Sequence, residues 1–347
     1  MQLSFSLNHQ TVQIDTDPAR PLLDVLRKDL KLTGTKQGCD HEGECGACTV
    51  LLDGKPVRSC LTPVGKVAGR EVLTVEGLCQ SDALHPLQEA FIEVGAVQCG
   101  YCTPGMLIAA KALLDQEPNP TKEQIITALA GNLCRCTGYK RIVQAVQIAA
   151  ARLRGEKSDI PDKPVNGIIG GNSLRTDSLD KVTGQVRYVE DITLPEMAYA
   201  RVLRSPHHHA RLTSLDTSLA EQREGVLCVC SAADISGQNT MGDYSRDEPI
   251  FTPVGDTVKM KGAPVALVVA ESPEQARDGM EAIEATYQPL PHTFELAAAL
   301  ASDADPIYPS GNVLTSEAEA HGDLEASFTD ADVILESHYT TAWQEHA

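Results

Sequence analysis

The 347-residue sequence predicts a multidomain α+β protein: a small α+β unit, then a four-helix domain, then a longer mixed portion. Three observations predict it. Apolar residues alternate with polar ones near the start, at Leu3, Phe5 and Leu7 and again at Val12 and Ile14, which is the period of a strand. Between Pro86 and Leu153 helix-start signals and helical apolar spacing recur. Past a polar stretch with two prolines, at residues 155–168, strand-like and helix-like runs mix.

Asn8-His9-Gln10 between the first two alternating runs predicts a hairpin. Pro21 to Arg27 has helical spacing, with Pro21 suited to a first turn. Gly38 to Cys48 is too glycine-rich for a long helix. Thr49 to Leu52 reads as a strand, Asp53-Gly54 as a turn, and Val72 to Val75 as the last strand of a unit spanning 1–76. The next unit, 77–154, changes character. Pro86 to Val94 is amphipathic. Thr103-Pro104 predicts an N-cap followed by proline, with the helix running on to Leu114. Thr121 and Gln124 form a capping box for a helix to about Ala130, and Arg141 to Leu153 is a fourth. We expect a four-helix domain with cysteines at helix ends. Residues 155–168 read as a linker to 169–347, where Ala198–Leu203, Val226–Cys230 and Val265–Val269 look like strands and Glu274–Tyr287 looks helical.

Composition bounds the function. Lys+Arg number 29 against Asp+Glu 48, a net charge of -19 that argues against a nucleic-acid partner. The first residues, MQLSFSLNHQTVQID, lack the basic and apolar regions of a signal peptide. No run approaches the ~18 apolar residues of a membrane span. A cytoplasmic location is expected. The eleven cysteines are an odd number, and in a reducing compartment they read as metal or cluster ligands rather than disulfides.

Eight of the eleven form two quartets. Cys39, Cys45, Cys48 and Cys60 follow C-x5-C-x2-C-x11-C, and Cys99, Cys102, Cys134 and Cys136 arrive as C-x2-C and C-x-C. A [2Fe–2S] cluster needs four thiolates in a loop of small residues, so that backbone N–H groups can face the sulfurs; Gly43, Gly46 and Ala47 are suited to that. The first spacing has one residue more than the plant-type ferredoxin pattern, near His41, which is not needed as a ligand. Structural zinc is the alternative at both quartets, though C-x-C is an awkward bite for one tetrahedral ion. Elsewhere the bland readings are favoured. His207-His208-His209 is a solvated loop, since neighbours on a strand alternate faces. Cys228 and Cys230 are buried small hydrophobes, and Cys79 is structural. Gly170-Gly171 lacks a dinucleotide fingerprint. Arg135, between two thiols, is either a surface arginine or a charge that raises a cluster's potential.

The motifs then carry a resemblance. C-G-Y-C-T-P-G-M (99–106) with G-N-L-C-R-C-T-G-Y (131–139) resembles the second iron–sulfur domain of the molybdenum hydroxylases, the xanthine dehydrogenase and aldehyde oxidoreductase family. G-E-C-G-A-C-T-V (43–50) resembles their first. Gly170-Gly171, Arg175, Asp177, Lys181-Val182-Thr183-Gly184, Tyr188, Asp191 and Leu203-Arg204-Ser205-Pro206-His207 resemble the start of the molybdenum subunit. The resemblance implies a ferredoxin-like β-grasp domain, a helical [2Fe–2S] domain and the start of an α/β hammerhead domain. It implies two [2Fe–2S] clusters and molybdopterin with molybdenum in the full-length protein. No FAD is expected, because the linker leaves no room for a flavin domain. Cys99, Cys102, Cys134 and Cys136 would hold the cluster near the pterin, and Cys39, Cys45, Cys48 and Cys60 the one nearer the acceptor. Gln98 and Cys136 would contact the pterin. The layout is similar to flavin-free aldehyde oxidoreductases and to selenium-dependent xanthine dehydrogenases, and the ending Gln344-Glu345-His346-Ala347 fits the latter somewhat better.

The family's reaction puts a water-derived oxygen into a C–H bond of an aldehyde, purine or other N-heterocycle. The catalytic glutamate is expected beyond Ala347, so no catalytic residue is expected here. The chain reads as a fragment that is inactive alone. Expected partners are a small-molecule substrate and an external electron acceptor, flavoprotein or ferredoxin-like. A homodimer or a complex with a separate subunit is expected, with no nucleic acid and no membrane span. The second reading is a non-catalytic iron–sulfur subunit serving a separate molybdenum chain; the third is a zinc scaffold.

Overall fold

The computed structural model describes residues 1–79, 83–158, 174–242 and 247–341. Most of the expected linker, the Gly170-Gly171 pair and the Gln344–Ala347 ending lie outside the described residues. The chain divides into two compact units, Met1–Ile192 and Thr193–Thr341.

The first unit opens with β1 (Gln2–Leu7) and β2 (Gln10–Asp15), paired antiparallel. Asn8 and His9 join them with φ of 50° and 68°, the left-handed pair that a two-residue hairpin turn requires. A short helix, α1 (Leu22–Asp24), begins after Pro21 and continues as a π-helical turn over Val25–Asp29. Strand β3 (Thr49–Leu52) turns at Asp53-Gly54 into β4 (Lys55–Arg58), a strand the sequence reading did not anticipate, and β5 (Glu71–Leu73) follows. The sheet order is β2-β1-β5-β3-β4, with β1 and β5 parallel, which is the β-grasp arrangement.

Strand β3 has no polar face, and the packing explains why. Val50 and Leu52 join the core beneath α1 with Leu3, Phe5, Leu22 and Leu26. Leu51, pointing the opposite way, enters a second core of helices. These are α2 (Pro86–Glu93), α3 (Thr103–Gln116), α4 (Lys122–Leu129) and α5 (Lys140–Leu153). The Thr121–Gln124 capping box forms as expected. The cap of α3 differs: Cys102 occupies the N-cap, and Thr103, buried, already lies in the helix with Pro104 behind it. The C-x2-C turn runs straight into the helix, because the Thr103 N–H bonds the Gly100 carbonyl and Met106 N–H the Cys102 carbonyl.

Residues 174–192, which the sequence reading grouped with 169–347, belong to the first unit. Their helix α6 (Ser178–Thr183) ends at Gly184, and the Val182 carbonyl accepts from the buried Gln88 side chain on α2 at 2.9 Å.

Among its described residues the second unit holds two antiparallel three-stranded sheets. One is β6 (Tyr199–Arg204), β10 (Pro264–Ala270) and β8 (Val226–Ser231), with β10 central. The other is β11 (Glu284–Pro289), β7 (Ala210–Asp216) and β9 (Thr257–Val258). Two expectations fail here. The run Glu274–Tyr287 is not one helix: α7 (Pro273–Glu281) stops, and Glu284 onward is strand β11 paired with β7. Tertiary pairing claims the β-branched and aromatic residues Thr286 and Tyr287. Cys228 and Cys230 are not buried: β8 is an edge strand, Cys228 is exposed and Cys230 partly so.

Candidate metal centres

The first quartet sits on the loop between α1 and β3, with its fourth member just after β4. The loop absorbs its extra length in left-handed turns, at Asp40 (φ 45°), His41 (φ 69°) and Gly43 (φ 74°). His41 faces Asp24, with Nε2 3.4 Å from the carboxylate, and Gln37. The sulfurs meet in pairs: Cys48 Sγ lies 3.3 Å from Cys60 Sγ, and Cys39 shares a hydrogen bond with Cys45. Backbone N–H groups are aimed at them. Those of Gly43, Glu44 and Cys45 donate to Cys39, and those of Gly38 and Ala47 to Cys45. Burial opposes ionisation of Cys39, yet these donors hold it below the ordinary thiol value. Cys60, more buried and bonded to Cys48, is pushed up to about 12. Side chains are kept out: a Cβ on Gly38 would lie 3.1 Å from Cys45 Sγ.

The second quartet joins the turn before α3 to the segment between α4 and α5. It too closes as two pairs. Cys99 and Cys136 sulfurs are 3.5 Å apart, and Cys102 donates to Cys134. That bond drives Cys102 far up and brings Cys134 down to about 5, helped by Thr137, whose hydroxyl is 3.1 Å from the Cys134 sulfur. Tyr139, left-handed at φ 65°, turns its hydroxyl back to accept from Cys134 N–H at 2.8 Å. Arg135 and Gln98 are exposed.

Two-plus-two pairing is the chemistry of a binuclear cluster, where each iron takes two thiolates; one zinc ion needs four donors at one point. Among the described residues, no group of three or more His, Cys, Asp or Glu is arranged to hold a single ion. The residues present therefore fit [2Fe–2S] better than zinc. His207 to His209 form a loop before β7, with His208 stacked on His292 rather than converging with its neighbours.

The two loops are laced together by backbone. Leu133 N–H donates to the Cys45 carbonyl at 2.9 Å, so a single hydrogen bond links a residue of one quartet to the neighbour of Cys134 in the other. Asn132, buried, donates to the Gly46 carbonyl at 2.8 Å. Tyr101, between Gly100 and Cys102, donates to the Gln37 carbonyl beside the first quartet at 2.6 Å. Its ring meets Tyr188 edge-on at 5.3 Å. Beneath Tyr188 lies Lys36, fully buried and paired with Asp191 at 2.9 Å; Arg27 reaches the same carboxylate at 2.6 Å. Lys181 donates to the Gln98 carbonyl at 2.9 Å, and Tyr188 to that of Cys99 at 2.7 Å. Tyr101, Lys181, Tyr188 and Asp191 lie within the motifs that carry the family resemblance, but sequence alone assigns them no role, and nothing in the sequence marks the lysine at position 36 as buried.

The chain matches three known domain families: "2Fe-2S iron-sulfur cluster binding domain" over residues 5–84, "[2Fe-2S] binding domain" over 74–147, and "Aldehyde oxidase and xanthine dehydrogenase, a/b hammerhead domain" over 183–291. These define a two-cluster iron–sulfur protein with a hammerhead domain. An aldehyde oxidoreductase of Megalodesulfovibrio gigas is 36% identical over 368 aligned residues, all of this chain and 40% of that one. The nicotinate dehydrogenase small FeS subunit of Eubacterium barkeri is 50% identical over 150 residues, 43% of this chain and 95% of that one. The crystal structure of the aldehyde oxidoreductase from Desulfovibrio desulfuricans superposes with a TM-score of 0.82 at 36% identity, covering 90% of this chain and 36% of that one. The chain belongs to the molybdenum hydroxylase family of the aldehyde oxidoreductase and xanthine dehydrogenase type, and it spans 40% of the length of the Megalodesulfovibrio relative. Among the described residues no helix is long and apolar enough to cross a membrane.

Proposed function

We propose that this chain carries electrons away from a molybdenum centre, one at a time, through two [2Fe–2S] sites. Cys99, Cys102, Cys134 and Cys136 hold the site nearer the pterin, with Gln98 and Cys136 as its pterin contacts. Cys39, Cys45, Cys48 and Cys60 hold the site nearer the acceptor, a flavoprotein or ferredoxin-like carrier in the cytoplasm. The single observation that carries this reading is the two-plus-two closure of both quartets on loops joined by the Leu133–Cys45 hydrogen bond. When bound, the molybdenum cofactor supplies oxygen insertion from water into a C–H bond of an aldehyde or N-heterocycle. This chain's residues set distance, potential and solvent access. The functional limits we assign are 1–76, 77–154 and 169–347 with 155–168 between, residues 174–191 serving the second site as well. The likeness to a small FeS subunit favours a second reading, in which residues 1–154 act as a carrier module serving a separate molybdenum chain.

Cys136→Ser tests the assignment. In the reduced holoprotein one of two distinguishable [2Fe–2S] EPR signals should vanish while the other persists; two intact signals would refute it.

A further inference from the structure

We propose that Lys181 and Tyr188 are positioning residues for the second cluster, clamping the two carbonyls that flank Cys99 and holding that cluster's reduction potential up. The inference rests on the reading of Cys99 and Cys136 as cluster ligands.

Both donors come from the segment that sequence alone groups with the molybdenum subunit. The Lys181 side chain is 6% exposed, and its ammonium sits 2.9 Å from the Gln98 carbonyl. The Tyr188 hydroxyl is 2.7 Å from the Cys99 carbonyl. Gly100 lets them approach: at φ 86°, a Cβ there would lie 2.6 Å from Lys181 Cδ and 2.9 Å from the Tyr188 hydroxyl.

The Gln98 carbonyl and the Cys99 N–H belong to one peptide unit, and that N–H donates to the Cys136 sulfur. A cation on one end of the peptide polarises it and strengthens the N–H···S bond at the other. Such bonds favour the more negative, reduced cluster and so raise its potential. Asp177 opposes the cation, at 2.7 Å from Lys181, but it is also paired with Arg175. The trio keeps one net positive charge, and the buried member is the lysine. The same grip fixes the backbone of Gln98, the residue we assign to the pterin.

The test is a redox titration of the holoprotein followed by EPR. Lys181→Met should lower the potential of one cluster by at least a tenfold shift in its one-electron equilibrium, about 59 mV. The other cluster should not move, and Lys181→Arg should restore most of the shift. Tyr188→Phe, which deletes only a hydroxyl, should move the same cluster in the same direction by less, and it carries the test should Lys181→Met lose its cluster. Two signals whose potentials stay put in both variants, or fall together, would overturn the inference alone. Wild-type protein without two [2Fe–2S] signals would overturn the ligand assignment and this inference with it.

Discussion

Asp191 has 1% of its side chain accessible and touches two cations and a backbone N–H, that of Tyr188 at 2.9 Å. Burial alone would raise its pKa, but the Tyr188 N–H, Lys36 and Arg27 together hold it below the ordinary carboxylate value. Burial meanwhile lowers Lys36, and its hydrogen bond and charge attraction to Asp191 oppose that shift. A depressed carboxylate gives stability above its unfolded pKa, roughly 3.9, that is lost as pH falls through its folded value. Asp191→Asn should therefore destabilise the first unit by about 3–5 kcal/mol near neutrality, because it strands a buried lysine. The difference from wild type should shrink as pH falls below roughly 3.9, where the carboxylate of the unfolded chain takes up a proton while the folded one still resists, and it should vanish once the folded carboxylate is protonated as well. Urea midpoints at two pH values check this, and an equal deficit at both would contradict it. None of this was legible at the residue scale. A lysine has no periodic signature that marks it as buried, and its partner lies 155 positions away.

At the scale of elements, the contact between β3 and α3 decides whether the two quartets share a frame. A Cβ on Gly46 would lie 2.2 Å from the Gly131 carbonyl, and one on Gly105 would lie 2.5 Å from the Gly46 carbonyl. Backbone against backbone leaves nothing to yield. Gly46→Ala should displace the first loop from Gly131–Asn132 and abolish or strongly weaken the EPR signal of the first cluster. Gly54→Ala is the control: it is equally left-handed at φ 75° but has open space around it, so only the intrinsic left-handed penalty of roughly 1–2 kcal/mol should appear, with both signals kept. The hairpin turns, the capping box and the limits of α2 and α5 were legible because each is written in local residues. The split of Glu274–Tyr287 into helix and strand was not, since β11 exists through its pairing with β7. Nor was the exposure of Cys228, which depends on β8 lying at a sheet edge.

For the molecule as a whole, each unit has its own apolar core: among the described residues, Met1–Ile192 holds two large clusters of buried side chains and a small one of Leu23, Cys48 and Cys60, and Thr193–Thr341 holds two small ones. The cluster chromophores report only on the first. Urea unfolding followed by visible absorption and by far-ultraviolet circular dichroism should therefore give transitions that do not coincide, since the second signal sums both units. Superposable curves would mean that the two unfold as one.

What the sequence determined by itself is the inventory: eight thiols in two quartets, the turns and caps around them, and the succession of domains. Those features are carried by residues close together in the chain, where spacing and side-chain type already fix the chemistry. The tertiary structure alone decided which thiols pair, that β3 is buried on both faces, and that residues 174–191 reach back to the Cys99 turn. Each of those depends on groups far apart in sequence being packed to within hydrogen-bonding distance, and only the folded chain brings them there.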